Sequence, residues 1–199
     1  MELASLLRPL ATLAGPAAVL ALGSFVTALV VTGEDGLEAS PLATASSALL
    51  LVAMLGVGAA ALAALVRLRE ADRGTAGPAV AVLGSVLVAG GTWASLFVMP
   101  ALASNFPEAL EVELAEVVVG YIASYLVFSV GWVWTGVALR RSGVVPGWLG
   151  VLVIVAGVAA FVPSPEPARL LLMGIAVSLL AARLAPAPAT AATVPAAAR

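Results

Sequence analysis

The run from Val117 to Leu139 reads VVVGYIASYLVFSVGWVWTGVAL and contains no charged residue. About 20 predominantly apolar residues cross the hydrocarbon core of a bilayer as an α-helix, so this run predicts a transmembrane span. The run also holds five of the eleven aromatic residues of the chain, namely Tyr121, Tyr125, Phe128, Trp132 and Trp134. The first property indicates the fold class, and the second raises the question of what the clustered rings do.

The composition of the whole chain agrees with a membrane protein. Hydrophobic residues make up 62% of the sequence and charged residues 10%, whereas a soluble domain averages about half apolar and about a quarter charged residues. The net charge of −2 argues against a nucleic-acid partner. The sequence has no Cys, His or Lys, which excludes disulfides, thiol and imidazole catalysis, Schiff bases and metal sites built from His or Cys. We therefore predict no cofactor and no bound metal.

Apolar runs, all but the last free of charged residues, predict six spans in one domain over residues 1–184. They lie at about 10–32, 44–66, 77–100, 117–139, 146–163 and 166–184. The first apolar run is too long for the core of a signal peptide, so we interpret it as a retained helix. The last residues, APAPATAATVPAAAR, predict a disordered cytoplasmic tail over 185–199 because they are rich in Pro and poor in large apolar groups. The predicted fold class is all-α, a polytopic transmembrane bundle.

The arginines predict the orientation of this bundle. Arg169 is the one arginine on the opposite side of a six-span chain from the others, which are Arg8, Arg67, Arg69, Arg73, Arg140, Arg141, Arg183 and Arg199. Because short cytoplasmic loops carry the excess of basic residues, both termini are expected in the cytoplasm. The sequence thus predicts a multi-pass protein of the bacterial inner membrane, surrounded by lipid.

The aromatic residues of span four form a stripe along one helix face. Tyr121, Tyr125, Phe128 and Trp132 are spaced by four, three and four residues, which places them on a common face. Trp93 and Phe97 of span three are their expected neighbours. In one interpretation these six residues fill the bundle core; in the other they line a pocket for a lipophilic molecule.

A stripe of small residues lies beside the rings, formed by Gly120, Ser124, Gly131 and Thr135. Small residues allow helix backbones to approach closely in a membrane, where water supplies no driving force for association. We expect this stripe to receive a neighbouring helix.

Carboxylates cluster in one segment, which predicts an acidic external helix over about 106–116. Glu113 and Glu116 lie above the aromatic stripe and are the candidate acids of an intramembrane enzyme. Acid-initiated chemistry of the terpene-cyclase kind needs a proton donor and aromatic faces that stabilise cations. A solvated acidic cap is the alternative role for this segment.

No predicted span carries Asp, Glu, Arg, Asn or Gln at membrane depth. Ionisable groups in that position normally mark ion pathways and proton relays, so the sequence argues against a pump or a proton-coupled transporter. Three interpretations are left open. One is a structural protein or accessory partner, alone, as a homo-oligomer or beside another membrane protein. The second is an enzyme acting on a terpenoid- or prenyl-like substrate. The third is a substrate-binding subunit of a transporter.

The second half of the aromatic run and the residues after it resemble a known pattern. A span ends in Gly, then Arg-Ser-Gly, two apolar residues, Pro, a Leu-Gly step and a further span containing Ala-Gly. Here these positions are Gly136, Arg141, Ser142, Gly143, Pro146, Leu149, Gly150, Ala156 and Gly157. The stretch resembles an uncharacterised bacterial six-span family, domain of unknown function 4386. The resemblance implies six spans in a bacterial inner membrane, and it implies no activity and no site residues.

Overall fold

The computed structural model describes residues 3–34, 36–37, 40–106, 108 and 114–184, and the regular structure within these ranges is helical, without strands. Six helices follow one another: α1 Leu3–Thr32, α2 Pro41–Glu70, α3 Ala76–Asn105, α4 Ala115–Ser142, α5 Gly147–Ala159 and α6 Glu166–Arg183. The predicted all-α class is confirmed, and each predicted span overlaps one helix. The predicted tail at 185–199 and most of the predicted acidic helix lie outside the described residues.

Several helix ends follow from local chemistry. Proline lies in the first turn of α2 and of α6, where its fixed φ suits a helix start and its missing N–H costs no hydrogen bond. The last turn of α4 holds Arg140 and Arg141, whose charges suit the negative end of the helix dipole. Gly143 follows with φ 71°, a left-handed conformation that terminates the helix and that glycine adopts without a Cβ clash.

Four of the helices are long and apolar enough to cross a membrane, judged by length and composition over the described residues. These segments are Leu6–Thr32, Pro41–Glu70, Ala76–Leu102 and Ala115–Ser142. Helix α5 is apolar but has 13 residues, a length of about 20 Å at 1.5 Å per residue. Helix α6 has 18 residues, or about 27 Å, and carries a charged residue at each end. The α5–α6 hairpin is therefore shorter than the helices that surround it.

The helices pack in chain order as a closed ring, with α2 displaced toward the interior of that ring. Helix α1 contacts α2 and α6, α3 contacts α2 and α4, and α5 contacts α4 and α6; α2 also reaches α4 and α6. More than half (56%) of the apolar window of α2 is buried, against 22% for α3. Helix α2 thus forms the inner wall of the bundle, and α3 presents most of its surface outward.

Glycines allow neighbouring helices to approach closely. A Cβ on Gly131 of α4 would lie 2.7 Å from the Cα of Ala81 in α3, and one on Gly136 would lie 2.7 Å from the carbonyl oxygen of Gly150 in α5. Thr135 is fully buried. Gly120, by contrast, faces open space, with no atom within 4 Å of an added Cβ. The prediction that the small-residue stripe receives a helix is therefore confirmed at Gly131 and Thr135 and wrong at Gly120, where an added Cβ meets no other helix.

Candidate functional site

A polar cluster joins three helices at the start of α6. The Oε1 atom of Glu166 accepts hydrogen bonds from the Tyr125 hydroxyl (2.9 Å) and the Thr92 hydroxyl (3.1 Å). Glu166 is the first residue of α6 and directly follows Pro165, so its carboxylate lies at the positive end of the helix dipole. The carboxylate therefore ties α6 to both α3 and α4.

Arg169, one turn further along α6, supplies the opposite charge. Its guanidinium carbon lies 4.5 Å from the centroid of the Tyr125 ring and 5.7 Å from that of Tyr121. Nη1 donates to the Tyr121 hydroxyl at 3.1 Å, and Nη2 donates to the backbone oxygen of Ser164 at 2.7 Å. Tyr125 thus links the two charges, since its ring contacts the cation and its hydroxyl contacts the anion. We call Thr92, Tyr121, Tyr125, Glu166 and Arg169 the Glu166 cluster.

The Glu166 cluster lies within the thickness of a membrane if α4 crosses it. Tyr125 and Arg140 are separated by about 22 Å along the axis of α4, and the hydrocarbon core is about 30 Å thick. With Arg140 at one interface, Tyr125 and its partner Glu166 fall short of the other. The turn between α5 and α6 therefore lies near the level of Tyr125 and does not extend as far as the start of α4 at Ala115. The sequence predicted that no span carries an ionisable group at membrane depth, and Glu166 departs from that expectation if α4 crosses the membrane.

The end of α3 and the start of α4 are exposed beyond the α5–α6 hairpin. Trp93 is 51% exposed, Phe97 55% and Tyr121 43%, and the Trp93 and Phe97 rings contact each other with centroids 5.6 Å apart. Glu116 is exposed near the start of α4, and Glu113 lies outside the described residues. The structure therefore does not bring Glu116 to the rings as a buried acid.

The inner part of the aromatic stripe is enclosed by protein. Tyr125 is 3% exposed, and Phe128 and Trp132 are fully buried. Neighbouring rings contact one another, with centroids 6.4 Å apart for both Tyr125–Phe128 and Phe128–Trp132. The indole N–H of Trp132 donates to the Ser85 hydroxyl at 3.3 Å. These three rings occupy a packed core, and a ligand-binding role for the stripe stays a prediction.

A groove of about 290 Å³ opens on the other side of Glu166, between α1, α2 and the start of α6. Its walls are formed by Phe25, Leu37, Ala43, Ser46, Ser47, Leu50, Pro165, Glu166 and Pro167. Both serine hydroxyls are already engaged, since Ser46 donates to the backbone oxygen of Ala21 at 2.7 Å and Ser47 to that of Ala43 at 3.2 Å. The groove therefore has apolar walls with one carboxylate.

The comparisons with known proteins add no relative. No model of a protein family, no curated protein and no solved structure matches the chain. The resemblance to domain of unknown function 4386 stays a prediction.

Sequence reasoning missed the Glu166 cluster although a signal for it was present. Glu166 and Arg169 are three residues apart and share one face of α6. Their span begins on the same side of the predicted bundle as Tyr121 and Tyr125. The sequence does not predict how far the α5–α6 turn extends along the bundle, because that position depends on how α5 packs against α4 and α6 against α1.

Proposed function

We propose that the chain is a six-span protein of the bacterial inner membrane with both termini in the cytoplasm. The arginine distribution supports this orientation, because the loops at 67–76 and 140–145 carry most of the basic residues. Six spans need α5 and α6 to cross although they are short. Helix α6 is able to do so with Arg183 extending its side chain to one interface and Glu166 remaining below the other, bonded to Tyr125.

In this membrane the protein acts as an accessory component that holds a lipophilic molecule and performs no chemistry of its own. The observation that carries the proposal is the groove of about 290 Å³ beside Glu166. It lies where α2 and α6 begin, and ligand pockets typically combine apolar walls with a few placed polar groups. An ionisable residue inside a membrane is by default a functional-site hypothesis. The ligand that fits is an apolar molecule with a cationic or hydrogen-bond-donating end.

An enzyme of the terpene-cyclase kind has weaker support. Such an enzyme needs an acid that faces an aromatic cavity. The carboxylate nearest to the described rings, Glu166, is instead engaged by Tyr125 and Thr92, and the inner rings pack against one another. The arrangement favours binding over proton donation to a substrate.

Filling the groove tests the proposal. Ala43→Phe places a ring in the groove, whereas Ala45→Phe puts the same ring on an exposed position of the same helix. Purified wild-type protein and the Ala45→Phe control are expected to retain a lipophilic species other than bulk phospholipid, detected by mass spectrometry of an organic extract. The Ala43→Phe variant is expected to lose it. Glu166→Gln keeps the acceptor for Tyr125 and removes the charge, so it is expected to weaken retention of a cationic ligand.

Two results would contradict the accessory role. One is a wild-type extract that contains only bulk phospholipid. The other is equal retention by the Ala43→Phe and Ala45→Phe variants, which would place any retained molecule outside the groove. Recovery of a chemically converted product from a supplied prenyl substrate would instead favour the enzyme.

A further inference from the structure

A second groove lies at the arginine-rich end of the bundle, far from Glu166. It has a volume of about 240 Å³ and lies between the α2–α3 turn and the last turns of α4. The residues that matter for its chemistry are Arg73, Ala76, Trp134, Val137 and Arg141. Trp134 is 50% exposed, so its ring is open to the surroundings. It shares the α4 side of the groove with Arg141, and Arg73 comes from the α2–α3 turn.

Both arginines in this groove are available for a ligand. Within the described part of the chain, neither Arg73 nor Arg141 has an ion-pair partner, whereas the nearby Glu70 is paired with Arg67 at 3.0 Å. The neighbouring acid Asp72 is exposed on the turn. Two guanidinium groups facing one cavity repel each other, and a shared anion relieves that repulsion while accepting hydrogen bonds from both.

The start of α3 adds a third positive element to the same groove. Helix α3 begins at Ala76, which lines the groove, and Thr75 before it makes no side-chain capping hydrogen bond. The first amides of a helix have no acceptor within the helix and carry the positive end of its dipole. Anions, phosphates above all, bind at such positions.

We infer that this groove binds the phosphate of an anionic phospholipid, with Arg73 and Arg141 on the phosphate oxygens and the glycerol and first methylenes against Trp134 and Val137. The charge selects an anion. The ring selects a lipid over a free phosphate, because Trp at a membrane interface contacts the boundary between headgroup and acyl chain. Basic pockets between transmembrane helices are a known form of headgroup site. The inference concerns the opposite end of the bundle and does not depend on a ligand beside Glu166.

The chain offers a matched pair of variants for the test. Arg73→Gln/Arg141→Gln removes both charges from the groove. Arg69→Gln/Arg140→Gln removes two charges from the same end of the bundle, one from α2 and one adjacent to Arg141 on α4, and neither residue lines the groove. Any general attraction between a basic surface and an anionic membrane is weakened equally in both variants. A specific site is lost in the first variant alone.

The measurement is lipid selectivity of the full-length protein in nanodiscs of phosphatidylcholine with increasing fractions of phosphatidylglycerol. Native mass spectrometry of the released protein gives the enrichment of retained phosphatidylglycerol over phosphatidylcholine. Wild type and Arg69→Gln/Arg140→Gln are expected to show the same enrichment within about twofold, whereas Arg73→Gln/Arg141→Gln is expected to lose about 10- to 30-fold. Equal thermal unfolding of the three proteins in phosphatidylcholine alone checks that each one folds.

Three outcomes would overturn the inference. In the first, wild type shows no enrichment. In the second, both double variants lose it equally, which would indicate general surface charge. In the third, soluble glycerol phosphate displaces the retained lipid as well as added phosphatidylglycerol does, which would indicate a site for free phosphate. If Arg73→Gln/Arg141→Gln unfolds, Trp134→Ala supplies the second variant, since it removes the lipid-facing wall and leaves both charges; unchanged enrichment in that variant would also contradict a lipid site.

Discussion

Replacing Gly131 by alanine should separate α3 from α4 and destabilise the bundle. The added Cβ would lie 2.7 Å from the Cα of Ala81 and 2.7 Å from the carbonyl carbon of Val80. Both are backbone atoms, which cannot move aside as the end of a side chain does. Ordinary van der Waals contact begins near 3.4 Å, so α3 has to shift by most of an ångström and loosen the contacts above and below. Overpacking of this kind typically costs about 1–3 kcal/mol.

Gly120→Ala on the same helix is the control for this substitution. Glycine in a helix is less favourable than alanine by about 0.5–1 kcal/mol, and this gain applies to both variants. An added Cβ on Gly120 meets nothing within 4 Å. The difference between the two variants therefore isolates the helix contact, and we expect Gly131→Ala to be less stable than Gly120→Ala by about 1–3 kcal/mol.

Reversible unfolding in mixed micelles, followed by helical circular dichroism, measures this difference. Both variants are compared with wild type in the same detergent, because micelle composition changes the reference state. Equal stability of the two variants would refute the reasoning. It would mean that α3 and α4 do not approach each other at Gly131, and that the small residues of α4 reflect composition and not packing.

Two further predictions concern the Glu166 cluster and the topology. Tyr125→Phe keeps the ring against Arg169 but removes the hydrogen bond to Glu166. The free energy of unfolding should fall by about 1 kcal/mol, because hydrogen bonds between membrane helices contribute about that much. A Tyr125→Phe protein as stable as wild type would show that the hydroxyl makes no net contribution. Reporter fusions at Asp72 and Ser142 should report a cytoplasmic location and fusions at Gly33 and Ser104 an external one, and an external signal from Asp72 would overturn the six-span orientation.

The positions of the helices were largely predictable from sequence. Apolar runs between charged or Pro-containing segments predicted six elements, and α4 ends within three residues of its predicted limit, Leu139. This works because a membrane span needs a long apolar run whose backbone is satisfied internally, so composition alone carries the signal. The all-helical class therefore followed from residue type without knowledge of contacts.

The candidate site was predictable only in part. Tyr121 and Tyr125 were singled out by their spacing, and the structure does bring both to a charged partner. Those partners, Glu166 for Tyr125 and Arg169 for Tyr121, lie on α6 and not in the acidic segment before α4. Glu113 and Glu116 are close to the stripe along the chain. Helical spacing predicts which face of a helix a residue occupies, but it does not predict how far along that helix each neighbouring helix extends.

The sequence by itself determined that this chain is helical and that its long helices are apolar enough for a membrane. These properties are sums over residue types and local periodicity. Only the tertiary structure decided which glycines are contacts, which rings are core and how deep the α5–α6 turn lies. Gly131 and Gly120 are the same residue on the same helix, yet one contacts the backbone of Ala81 and the other faces open space. The physical reason is that close packing depends on the distance between helices, and that distance is set jointly by all the residues of the pair.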